Sequence, residues 1–180
     1  MGGQGDAEHG DRPFRRMRSR VALVALAWTL AAAAQSAERT TPSGLPVPRY
    51  VSLKFDTVNA RSGPGDDHRM MWVYRARGLP LQVVAETSEW RRVCDPQGGL
   101  VWVHRRTVDL RRTVINLQGK PMPLRKKPKI ASPAVALLAP RALATLVRCE
   151  DGWCRLKVDG VSGWTREGEL WGTDERPQCR

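Results

Sequence analysis

Histidine, tyrosine and phenylalanine are scarce in this sequence. Among 180 residues there are 3 His, 2 Tyr and 2 Phe, and only 4 Cys. So few imidazoles, with few clusters of acids, leave little material for a metal centre or a general acid–base pair, and no cofactor is implied. No two cysteines stand in a C-x-x-C spacing, which argues against a structural zinc site or a thioredoxin-type redox pair. No apolar run reaches the roughly 20 residues that a membrane-spanning helix needs. The length allows one or two small domains and excludes a large multidomain enzyme. What the chain has instead is tryptophan, 7 residues of it, and positive charge, with 30 Lys plus Arg against 18 Asp plus Glu for a formal +12. Hydrophobic residues at 41% and charged ones at 27% fit a globular chain rather than a disordered one.

The N-terminus stands apart. Arg12, Arg15, Arg16, Arg18 and Arg20 precede an uncharged stretch from Val21 to Ala34 (VALVALAWTLAAAA), and small residues follow. A basic lead-in, a short apolar core and a small-residue cleavage site predict a secretory signal peptide over residues 1–37, cut after Ala34 or Ala37. The alternative is a retained N-terminal anchor. Export implies a periplasmic or secreted protein with no membrane span in the mature chain. It would also expose Cys94, Cys149, Cys154 and Cys179 to an oxidising compartment, where four cysteines allow three pairings.

The remaining sequence reads as β structure. Tyr50 to Phe55 alternates apolar and polar residues, Leu79 to Ala85 is a strand-like run, and Trp90 to Cys94 is separated from Leu100 to Val103 by a Pro-Gln-Gly-Gly turn. Short strands at this spacing suggest a sandwich or small barrel. Pro140 interrupts the one stretch with some helical character, Ala134 to Leu146, which is assigned to loop and strand.

An internal repeat organises the chain. Arg61 stands three residues before Pro64, Trp90 lies 29 residues after Arg61, and Trp102 lies 12 further on. Arg125 stands three residues before Pro128, with Trp153 then 28 residues on and Trp164 another 11. Two copies of one domain of roughly 60 residues are therefore predicted, each of a size that folds alone only marginally.

The first copy carries Val58-Asn59-Ala60-Arg61-Ser62-Gly63-Pro64-Gly65, then Trp90, then Gly98-Gly99-Leu100-Val101-Trp102-Val103-His104. In these residues it resembles a bacterial Src homology 3-type domain over about residues 51–108. Val101 departs from that pattern, in which Gly usually precedes the Trp. The second copy, about residues 112–172, keeps Leu124-Arg125, Trp153 and Gly163-Trp164 but lacks the Asn and the Gly-Pro-Gly loop. The resemblance implies an all-β protein of two tandem five-stranded barrels, at 50–110 and 111–174, with a linker at 38–49 and a tail at 175–180. It also implies a non-catalytic module of exported bacterial proteins that binds cell-wall polymer or an envelope protein.

Two candidate binding features follow. Trp72, Tyr74, Trp90 and Trp102 are assigned to a shallow aromatic groove in the first copy, since aromatic anchors bury large area at low entropic cost. The alternative is that such tryptophans simply close small cores. The second feature is charge. Residues 111–142 hold eight basic residues and no acid, and Arg125-Lys126-Lys127-Pro128-Lys129 replaces the glycine-rich loop of the first copy. The cluster Arg125, Lys126, Lys127, Lys129 is read as an anion-binding loop, against the alternative of a solvated face that aids solubility. No aromatic is interleaved in this stretch, and together with export this argues against nucleic acid. Cys94 and His104 are considered as a nucleophile pair and set aside, because Cys94 alternates with Val93 in a strand and reads as structural. Cys149 and Cys154 bracket Glu150-Asp151-Gly152-Trp153 on the arms of a tight hairpin, which predicts a disulfide between them. Pairing of Cys94 with Cys179, which would tie the tail to the first barrel, stays open.

Overall fold

The computed structural model describes residues 41–179, so the leader reading lies outside the described residues. These residues form two seven-stranded antiparallel sheets. The first comprises β1 (Arg49–Leu53), β2 (Val58–Arg61), β3 (Met70–Tyr74), β4 (Pro80–Glu86), β5 (Trp90–Cys94), β6 (Leu100–His104) and β7 (Val108–Asp109), with a 3₁₀ turn at Arg105–Thr107. The second comprises β8 (Thr113–Asn116), β9 (Met122–Arg125), β10 (Ala134–Leu138), β11 (Leu143–Glu150), β12 (Trp153–Val158), β13 (Val161–Arg166) and β14 (Leu170–Trp171), with a 3₁₀ turn at Glu167–Glu169. Strand order is β3-β2-β6-β5-β4-β1-β7 in one and β10-β9-β13-β12-β11-β8-β14 in the other, the same order with every label raised by seven. No helix among the described residues is long and apolar enough to cross a membrane.

Each copy has seven strands where five are expected. The two additional ones are the arms of the long first loop: β2 pairs with β3 in register Val58↔Tyr74 and Ala60↔Trp72, so the loop is itself a hairpin. The tighter spacing of the second repeat has a local cause. Thr87-Ser88-Glu89 joins β4 to β5, whereas only Asp151-Gly152 joins β11 to β12. Both latter residues have positive φ (49° and 74°), the backbone of the tight hairpin turns that match strand twist, and Gly152 reaches it without steric cost.

The departure at Val101 is compensated across the sheet. Val101 is buried in β6, and Gly163 occupies the corresponding place in β13. A Cβ on Gly163 would lie 2.7 Å from Leu124 Cβ. The first copy has Ala60 where the second has Leu124, and both are fully buried. The two copies thus split the same volume differently, Val with Ala in one and Gly with Leu in the other. Gly163→Val alone is expected to cost about 2 kcal/mol by overpacking. Adding Leu124→Ala should recover more than half of that, as a double-mutant cycle in urea would measure.

Two cores result. One gathers Val51, Leu53, Val58, Ala60, Leu81, Val83, Val93 and Val103 with Tyr74; the other gathers Val114, Met122, Leu124, Leu138, Ala144, Cys154 and Leu156. The copies are not independent beads, because Ile115 of β8 belongs to the first core and Leu143 and Trp171 pack against it. The Ser52 and Thr113 hydroxyls lie 2.6 Å apart, within hydrogen-bonding distance of the Arg111 and Gly78 carbonyls. Two disulfides complete the fold. Cys149 and Cys154 are bonded as a directly opposed pair, with Cα atoms 4.0 Å apart. Cys94 is bonded to Cys179, so the tail crosses back onto β5.

Candidate functional site: paired clefts beside Trp90 and Trp153

β2 supplies Thr57 (just before the strand), Val58, Asn59 and Arg61 to a cleft of about 280 Å³, closed by Asp66 of the long loop, Trp90 of β5, His104 of β6 and Thr107 of the 3₁₀ turn. Arg61 is held from two sides. Its Nη1 donates to the His68 carbonyl (2.8 Å), and its Nη2 faces Asp66 Oδ1 at 3.3 Å. Trp90 stands opposite His104 in the β5–β6 ladder, edge to face at 5.2 Å. The His104 Nδ1 accepts from the Arg106 backbone N–H (3.2 Å), which turns Nε2 towards Glu89 at 3.6 Å. A hydrogen bond from Arg105 holds the Glu89 carboxyl below its ordinary range.

The second copy builds the same cleft. All eight lining positions of the first have counterparts lining a cavity of about 390 Å³: Pro121, Met122, Pro123, Arg125, Ile130, Trp153, Arg166 and Glu169, joined by Gln118, Lys120 and Thr165. Arg125 Nη1 donates to the Ser132 carbonyl at 2.8 Å, repeating the Arg61–His68 bond. Arg166 replaces His104 opposite Trp153, and its guanidinium lies 4.6 Å from the indole centroid in a cation–π contact. What persists between copies is the pair that shapes the cleft, one Arg and one Trp. What differs is the charge and polarity of the rim.

The aromatic groove assigned from the sequence does not assemble as one surface. Side chains alternate across a strand, and the four residues fall on both sides of the first sheet. Trp72 and Tyr74 point to the inner face of the sheet, which does not close into the expected barrel; Tyr74 is part of the core and Trp72 packs on it. They meet edge to face at 6.1 Å. The Tyr74 hydroxyl donates to Asp95 Oδ2 (2.8 Å), while Asp95 Oδ1 accepts the N–H groups of Gln97 and Gly99 and so shapes the β5–β6 turn. Burial, and then the Asp95 charge, push the Tyr74 hydroxyl far above its ordinary pKa. Trp102 lies on the outer face, in register with Arg61 and Arg92, without lining the cleft. Of the four, only Trp90 lines it.

The basic loop divides in the same way. Arg125 lines the second cleft, while Lys126, Lys127 and Lys129 are exposed beside it. Asn59, Asp66, Lys120, Ile130 and Arg166 were not singled out as cleft residues. Laying one repeat over the other by its Arg and Trp anchors would have paired Asp66 with Ile130 and His104 with Arg166. Cys94 stands across from Leu100, not His104, and its sulfur is taken up in the disulfide.

Comparison with known proteins agrees with the duplicated architecture. The profile described as "Bacterial SH3 domain" matches twice, at residues 54–109 and 118–172. A comparison with curated proteins finds no match. Among solved structures, NlpC2 from Trichomonas vaginalis aligns at 13% identity and TM-score 0.32 over 69% of this chain and 48% of that one. NlpC1 from the same organism aligns at 13% identity and TM-score 0.32 over 68% and 45%. The chain thus spans less than half the length of either structure. Two tandem profile matches over more than half of the sequence place this chain in the bacterial SH3 domain family.

Proposed function

We propose that this chain is an exported, non-catalytic module of the bacterial cell envelope, and that its two clefts bind cell-wall peptide or glycan. The observation that carries this reading is the repetition of one cleft in two diverged copies, with an Arg and a Trp retained in the same places. A core needs the tryptophan ring to be covered; it does not need a lined cavity beside it twice. Each cleft sets the exposed edge of a largely buried Trp beside one guanidinium, an apolar surface and a donor that together suit extended peptides and sugars. The basic rim of the second copy adds attraction to wall carboxylates.

The test is co-sedimentation of the oxidised chain with purified, protein-free sacculi at low and high salt. Asn59→Trp and Pro121→Trp fill the two clefts from exposed positions and leave both cores untouched. The expected result is pelleting that survives high salt and weakens at least about tenfold in the double variant. Pelleting that disappears with salt, and in a variant that keeps Arg125 but has Lys126, Lys127 and Lys129 all changed to Ala, would place attraction in the exposed loop charges rather than the clefts. No pelleting at any salt would exclude wall binding and direct the search to a protein partner.

A further inference from the structure

The clefts share a shape but differ in charge, and the partner of the retained Arg differs at one loop position. In the first copy the exposed Asp66 carboxylate pairs with Arg61, with 3.3 Å between Oδ1 and Nη2. In the second, Ile130 stands at that position, and it is exposed. Arg125 keeps the carbonyl bond through Nη1 but has no carboxylate within 4.0 Å among the described residues. Lys120 and Arg166 add two cations to the same cleft, against one carboxylate, Glu169, which pairs with neither. The formal charge along the cleft is therefore zero in the first copy and +2 in the second, counting His104 as neutral.

An anion entering the second cleft meets a guanidinium already oriented by Ser132, whose remaining nitrogen lacks the partner that Asp66 provides in the other copy. A charge-assisted bond to a preset guanidinium is stronger than a neutral one, and the planar fork suits a carboxylate. Apolar groups stand beside the cationic ones, Pro121, Pro123, Ile130 and the Trp153 indole, with Gln118 and Thr165 as the uncharged polar lining. A polymer whose every unit is charged gains nothing from such walls, whereas an extended apolar peptide ending in a carboxylate uses both.

We propose that the second cleft selects peptides with a free carboxylate, to which Arg125 donates in the place that Asp66 occupies in the first copy, while the first cleft, whose Arg61 already pairs with Asp66, does not select for charge. This rests on the clefts being binding sites, and it divides the labour between the copies.

The experiment titrates the full oxidised chain, ¹⁵N-labelled on tryptophan, with N-acetyl-Ala-Pro-Leu as the free acid and as its C-terminal amide. The Trp153 and Trp90 indole N–H signals are followed separately. The acid is expected to shift Trp153 with about tenfold higher affinity than the amide. Ile130→Asp, at an exposed position, supplies the internal carboxylate and is expected to erase that preference while leaving the melting temperature and the Trp90 response unchanged. Equal affinity for acid and amide, silence of Trp153 towards both, or a preference that survives Ile130→Asp would each overturn the proposal. So would inorganic polyphosphate displacing the acid at lower concentration, since that would identify a phosphate site. The peptides are soluble, so failure to bind sacculi would remove the wall reading and leave this result standing. Sacculus binding without acid preference would remove only this one.

Discussion

Replacing Cys94 and Cys179 together by Ala is expected to lower the unfolding free energy by about 4 kcal/mol, the largest effect of any change considered, because 85 residues separate the two sulfurs. The closed loop contains most of the first copy's final strands and all of the second sheet, so cutting it releases the denatured chain from its longest constraint. On the folded side, Gln82 Nε2 donates to the Asp174 and Arg176 carbonyls (3.3 and 2.8 Å), and the Gln178 N–H returns to Gln82 Oε1 (2.8 Å). These bonds hold the tail near its docked path without the sulfur link, so the protein should still fold. A drop of roughly 12 °C in melting temperature is expected for a chain of this size. The Cys149–Cys154 bridge closes a loop of only five steps, so the same double replacement there should cost about half as much. Thermal melts of the two double variants, followed by tryptophan fluorescence, measure the ratio. Equal losses would show that chain entropy is not what these bridges supply.

Glu86→Gln is expected to cost about 3 kcal/mol, because it removes the charge that two buried guanidinium groups share. The Glu86 side chain is wholly shut off from solvent; Arg49 and Arg91 both contact its Oε2, Arg91 through Nε at 3.0 Å. The Ser43 backbone N–H donates to Oε1 at 2.8 Å. Burial alone would raise this carboxyl, but the hydrogen bonds from Ser43 and Arg49 outweigh it and hold the group down at about 2 against an ordinary 4.5. A depressed folded value means that the stabilisation is present in full above about pH 4.5 and is lost as the pH falls towards 2. The acid limb should be worth about 2 kcal/mol, less than the full depression implies because the two guanidinium partners keep some contact with water. Urea unfolding at a series of pH values should show this slope in the native chain and a flatter one in Glu86→Gln. A native chain with no slope there would refute the pairing.

Glu86 faces Arg91 in the register immediately after Trp90's strand opens, and Cys149 faces Cys154 at the matching rung beside Trp153. One copy closes that rung with a buried ion pair and the other with a covalent bond. The repeat could be read from Arg61, Pro64, Trp90 and Trp102 and their echoes at Arg125, Pro128, Trp153 and Trp164, because each keeps its place along its strand or turn in both copies. Strand alternation and turn chemistry act over a few residues, so the all-β class and the tandem arrangement were legible. The Cys149–Cys154 bridge was legible for the same reason, since both partners sit on one hairpin.

Residue order alone carries the two-copy β architecture, the short-range disulfide and the concentration of positive charge between residues 111 and 142. Tertiary structure decided which aromatics share a surface. A period of two says that neighbours in a strand face opposite ways, but it does not say which way is inward, and so Trp72 and Tyr74 joined the core while Trp90 lined a cleft. It also decided that Cys94 and Cys179 meet, that Ile115 fills the other copy's core, and that Val101 is balanced by Ala60 as Gly163 is by Leu124. Each of these joins positions far apart in the chain, where pairing depends on volume and register across the folded sheet, quantities that no local pattern of residues encodes.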